Sequence, residues 1–308
     1  MSTAHQLVVR GTARTVTLLA SLSQSRAAAA GAGCVRPALL GLSILLLAGL
    51  STDAGASPGE TREGSGWRRL TGSGFSVVGN ASDGDLRKVR QEIQLFRDAM
   101  RALFPSLRLD AAVPLNIVVF KDDRAFTPFK PRSRGKPLDN VAGYFSVHPE
   151  RTVIVMAPSS SEFTYRIIFH EYTHFIVHLN MRRVPLWLNE GLAEFYGTFR
   201  GSSMDARSQL GRPIAWHLDT LVNHTRLPLR RLLSPDTGDM FRDPTAVGMF
   251  YAQSWAFVHY LLLGDNGAHR SQLSAFLALQ DSGQPLDAVF TRAFGAPWSR
   301  SSGSSRPT

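Results

Sequence analysis

Apolar residues recur at every third or fourth position through residues 83–104, at Leu86, Val89, Ile93, Phe96, Met100 and Leu103. That period predicts an amphipathic helix, which Pro105 ends. Before it, residues 66–80 carry Phe75, Val77 and Val78 ahead of the turn-forming Gly79-Asn80, and read as a strand. Residues 115–120 (LNIVVF) suit a buried strand, because β-branched side chains pack well on a pleated surface. Residues 121–140 are polar and broken by Pro128, Pro131 and Pro137, so a loop or partial helix is expected there. Residues 141–147 and 152–156 then read as two strands joined by His148-Pro149-Glu150-Arg151.

Beyond that hairpin the period changes from strand to helix. Residues 162–179 predict one helix and residues 186–199 a second, after a break at Pro185. Residues 201–219 show no clear period, whereas residues 248–263 form a strongly apolar helix and residues 272–279 and 286–294 two more. Strands early and helices late predict an α+β fold: an N-terminal mixed β-sheet followed by a helical C-terminal subdomain. No motif repeats at a fixed period, which argues against a solenoid.

Composition changes this picture mainly at the ends. Of 308 residues, 44% are hydrophobic and 19% charged, ordinary values for a globular chain. Residues 38–50 (ALLGLSILLLAGL) are nearly all apolar and follow Arg26 and Arg36, a run short for a membrane span and suited to a secretory signal, with an uncleaved single-span anchor as the alternative. Small residues at Ala54-Gly55-Ala56 place the expected cleavage after Ala56. The expected organisation is a leader over 1–56, one domain over 57–295 and an unfolded Ser/Arg-rich tail over 296–308. The expected location is periplasmic or extracellular, with membrane contact only through the leader, which becomes an anchor if it stays uncleaved. Cys34, the single cysteine, falls in the leader, so the remaining chain can form neither a disulfide nor a thiolate metal site. Without Arg10, Arg14, Arg26, Arg36 and Asp53, the net charge of +10 becomes +7. The basic residues are scattered in pairs such as Arg182-Arg183 and Arg230-Arg231, with no nucleic-acid motif, so nucleic acid is not expected as a partner.

The chemistry concentrates in His170-Glu171-Tyr172-Thr173-His174. Residues four apart share a helical face, so His170 and His174 can offer two imidazole nitrogens to one ion, with Glu171 beside them. A catalytic zinc takes a third protein ligand and keeps one open position. Glu190, past the break at Pro185, is at a usable distance for a second helix laid alongside; it also suits a surface position near a helix start. Glu194, one turn on, faces the same way and could accept a hydrogen bond from a ligand histidine. Val177 and Asn180 stand where H-E-x-x-H-x-x-G-x-x-H needs Gly and His, which excludes that class. His178 shares the face of His174 but lies too far along one helix for all three to bind comfortably. His217, His224 and His259 read as structural.

The pentapeptide, followed by Trp187-Leu188-Asn189-Glu190-Gly191-Leu192-Ala193-Glu194, resembles the gluzincin zinc metallopeptidases, and more closely the peptidase MA-like group of secreted or envelope bacterial proteins. The likeness runs over residues 67–295 and includes Phe250-Tyr251-Ala252-Gln253-Ser254-Trp255. It implies a zincin-like fold, zinc held by His170, His174 and Glu190, Glu171 as general base, and a peptide or protein substrate. By analogy with gluzincin tyrosines, Tyr251 is the candidate oxyanion donor. Gly143-Tyr144-Phe145 is a candidate edge strand for an extended peptide. The alternative is a non-catalytic envelope protein that keeps the zinc site as a binding or structural element.

Overall fold

The computed structural model describes residues 7–9, 60–63, 66–133, 135–138, 141–158, 161–181, 183–202, 207–234, 243–280 and 282–295. The apolar run at 38–50, the cleavage point after Ala56, Cys34 and the tail from 296 lie outside the described residues. In chain order the first elements are β1 (Leu7–Val9), β2 (Glu60–Glu63), β3 (Trp67–Gly72), β4 (Phe75–Gly79), α1 (Asp83–Leu103), β5 (Leu115–Val119) and α2 (Asp123–Phe126). Then come β6 (Arg132–Ser133), β7 (Lys136–Pro137), β8 (Gly143–His148), β9 (Arg151–Met156), α3 (Ser161–Asn180) and α4 (Leu186–Gly197). The last are β10 (Arg200–Ser202), β11 (Arg207–Leu210), α5 (Ala215–Asn223), α6 (Leu229–Leu233), α7 (Pro244–Leu263), α8 (Arg270–Gln280) and α9 (Leu286–Phe294). The fold is mixed α+β. Two compact units form: residues 27–95 with 109–172, and residues 1–26 with 96–108 and 173–308. Among the described residues no helix is long and apolar enough to cross a membrane.

The first unit is built on a six-stranded sheet in the order β2-β3-β4-β5-β9-β8. Residues 66–80, expected as one strand, instead fold back as β3 and β4, because Gly72-Ser73-Gly74 makes a turn with Gly74 at φ +77°, where a side chain would be strained. The long connection through α1 makes β4 and β5 parallel, with Phe75 opposite Leu115 and Val77 opposite Ile117. Alternate residues on both strands are buried, which fixes the register, since a slip of one position would turn them to the other face. Helix α1 starts where the Ser82 hydroxyl accepts a hydrogen bond from the Asp85 amide at 3.1 Å, while Arg68 pairs with Asp83. Residues 121–140 make α2, one 3-10 turn and the β6–β7 hairpin. Phe126 anchors this stretch, fully buried in a cluster with Phe120, Val155 and Ala157. The Tyr144 hydroxyl donates to the Phe129 carbonyl at 3.1 Å, and burial pushes that phenol up from its usual range. Strand β8 closes one edge of the sheet, pairing with β9 alone among the described strands.

The second unit is mainly helical. Asn180 ends α3 by a side-chain clamp: its Oδ1 accepts from the Arg108 amide at 2.9 Å, and its Nδ2 donates to the Arg108 and Ile176 carbonyls, each at 2.8 Å. Helix α4 packs along α7, and α8 packs on α9. Trp187, at the start of α4, is buried against Phe257 and Phe276, which pins the helix entry. Among the described residues of 201–219, which show no clear period in the sequence, β10 and β11 pair antiparallel and α5 begins at Ala215. Strand β1 pairs with β11, yet comes from the expected leader; β10 and β11 pair with each other without it.

His259 is expected to make stability pH-dependent. His259 on α7 donates from Nε2 to the Gly211 carbonyl at 3.0 Å, with Trp255 and Phe195 rings against it. Burial holds its pKa below 6.5, because charging it would strip water from a cation, although the Gly211 carbonyl offsets part of the shift. A base with a depressed folded pKa favours the native state fully above the unfolded pKa and loses that contribution as pH falls towards the folded value. The urea midpoint is therefore expected to drop as pH falls below about 6.5, the ordinary histidine value. The drop should shrink in His259→Gln, whose amide can still donate. His269, its pKa raised by hydrogen bonds with Gln272 and Asp265, acts in the opposite direction.

Candidate metal centre

Helix α3 carries His170, Glu171 and His174 between fully or nearly fully buried neighbours: Ile168, Phe169, Tyr172, Phe175 and Ile176. The apolar positions bury one side of α3 and leave the three polar residues half-buried on another. Helix α4 differs. Ten of its residues are buried, Glu190 and Glu194 among them, each about 8% exposed. A carboxylate is costly to bury without a compensating cation or donor, and two stand here one turn apart on the same face. The structure therefore places Glu190 in the interior, not on the surface.

The ligand atoms of His170, His174 and Glu190 all lie within 4.8 Å of one another. His174 Nε2 is 3.6 Å from Glu190 Oε2, too long for a hydrogen bond. Ligand bonds of about 2.0–2.2 Å in a tetrahedron put neighbouring ligand atoms about 3.4 Å apart. The observed separation is close to such an edge, and two imidazoles with one carboxylate suit zinc. The residues present therefore fit the metal. His178, one turn beyond His174, is exposed and stands outside the group.

Glycine is required at 191 by the packing of α4. A Cβ there would lie 2.5 Å from both the Ser254 carbonyl oxygen and Val258 Cγ2 on α7. Backbone cannot yield cheaply, so the methyl of Gly191→Ala would push α4, and Glu190 with it, away from α7. That change is expected to cost ~1–3 kcal/mol of stability, the usual penalty for overpacking, as read from the denaturation midpoint.

Glu194 Oε2 accepts a hydrogen bond from His217 Nε2 at 3.0 Å, in a pair that is buried on both sides. His217 comes from α5, and its ring is tilted against Trp255 of α7 at 5.7 Å. A single histidine in a stretch without period gives no signal of its partner in the sequence. Tyr251 lies half-buried on α7, its ring edge-on to Phe250. In the sheet-bearing unit, a Cβ at Gly143 would come within 2.6 Å of Ile167 Cγ2, so the edge strand β8 runs close against α3 one turn before Glu171.

Residues 166–287 match a family model described as a protein of unknown function, DUF1570. The matched span contains His170, Glu171, His174, Glu190, Glu194, His217 and Tyr251. Comparison with curated proteins returns no match.

Proposed function

We propose that the chain is a zinc-dependent metallopeptidase with a zincin-like fold of the gluzincin type. The observation that carries this reading is the convergence of His170, His174 and Glu190 with Glu171 between the two histidines on α3. Three protein ligands leave a fourth position for a reacting molecule, which the closed four-ligand set of a structural zinc does not. That favours catalysis over a purely structural or binding role.

Bound zinc would polarise a carbonyl and make water a nucleophile near neutral pH. The imidazoles of His170 and His174 and the carboxylate of Glu190 hold the ion. Glu171 takes the proton from the attacking water and hands it to the leaving amine, so one carboxylate serves as base and then acid. The Tyr251 hydroxyl is the proposed donor to the developing oxyanion. The substrate is a peptide or protein, which the β8 edge can receive as an added strand, with backbone hydrogen bonds fixing its direction. The leader over 1–56 supports export to the periplasm or beyond. Zinc content by elemental analysis, combined with cleavage of a peptide library, tests the proposal: one zinc per chain and chelator-sensitive cleavage are expected.

A further inference from the structure

We infer that His217 is a positioning residue of the metal centre, acting on it through Glu194; the inference rests on the metal reading above. Glu194 is one helical turn from the ligand Glu190 on a helix of which ten residues are buried. A carboxylate there would reorient or take up a proton unless a donor held it. His217 Nε2 supplies that donor at 3.0 Å from Oε2, with both residues more than nine-tenths buried. The imidazole is itself buried, with the Trp255 ring of α7 tilted against it at 5.7 Å.

The consequence is a two-point fix on α4. Gly191 sets how closely α4 approaches α7, through the Ser254 carbonyl. The Glu194–His217 bond ties the next turn of α4 to α5, and Trp255 joins that tie to α7. Glu190 stands next to the first point and one turn before the second. Groups outside a metal's ligand set that orient it typically change metal affinity about 10–100-fold when removed. A pair that served the fold alone would change stability and leave affinity as it was.

The test measures zinc affinity by chelator competition on the full chain, and the melting temperature of the metal-free protein, for wild type, His217→Ala, His217→Gln and Glu194→Gln. His217→Ala is expected to weaken zinc binding about 10-fold or more. His217→Gln, whose amide can donate to Glu194, should restore most of it. Glu194→Gln should weaken binding as well, and His217→Ala added to it should cause little further loss, because both act along one route. Unchanged affinity in His217→Ala, with wild-type zinc binding intact, would overturn the inference alone, whatever the melting temperature does. A wild type that binds no zinc would overturn the metal reading and this inference together. If His217→Ala fails to fold, His217→Gln and Glu194→Gln decide: wild-type affinity in both overturns the role.

Discussion

Glu171→Gln is expected to keep its zinc and to lose peptide hydrolysis by about 10²–10⁴-fold in kcat/KM, the usual contribution of a positioned acid–base group. The substitution is nearly isosteric and removes only the ability to take a proton. Glu171 stands between the two histidines in sequence but outside the set whose ligand atoms converge. The metal should therefore stay, and the loss should fall on kcat more than on KM, since the proton transfer belongs to the transition state. Elemental analysis alongside steady-state kinetics reads both parts. Loss of zinc in this variant would instead place Glu171 among the ligands.

Glu190→Ala carries the second large effect. It removes the only carboxylate among the three converging ligands and leaves two histidines on one helix. Two ligands cannot complete a catalytic zinc site, so affinity should fall by more than the ~100-fold seen at most for outer partners. Zinc bound by the native state also stabilises it, by about 2.7 kcal/mol at a hundred times the Kd. Added zinc should accordingly raise the melting temperature of the wild type and leave that of Glu190→Ala almost unchanged. A zinc-dependent rise of equal size in both would show that the ion binds elsewhere.

The legible parts of the fold were those with a long, unbroken period. Residues 83–104 were read as a helix and form α1, over residues 83–103, because each of the six predicted core positions is buried. The β8–β9 hairpin was also visible, since Tyr144, Phe145 and Val147 on one side and Val153-Ile154-Val155-Met156 on the other flank a short polar link. By contrast, residues 66–80 hid a turn inside an apparent strand, though Gly72-Ser73-Gly74 was the signal for it. Helix α5 was illegible for a physical reason. Its exposed face carries Trp216, Leu218 and Val222, while its buried residue is a histidine, so the usual relation between apolarity and burial is inverted. His217 then became meaningful only once folding brought it to Glu194 of α4. Glu190 lay between: its spacing suggested a ligand, but only the packing of α4 removed the alternative of a surface glutamate.

Peptide hydrolysis is tested most directly by mass-spectrometric profiling of a defined peptide library with zinc-loaded protein. The wild type is expected to produce new termini that disappear with a chelator and return when zinc is restored. An intact library after incubation with fully zinc-loaded, folded wild type would contradict it.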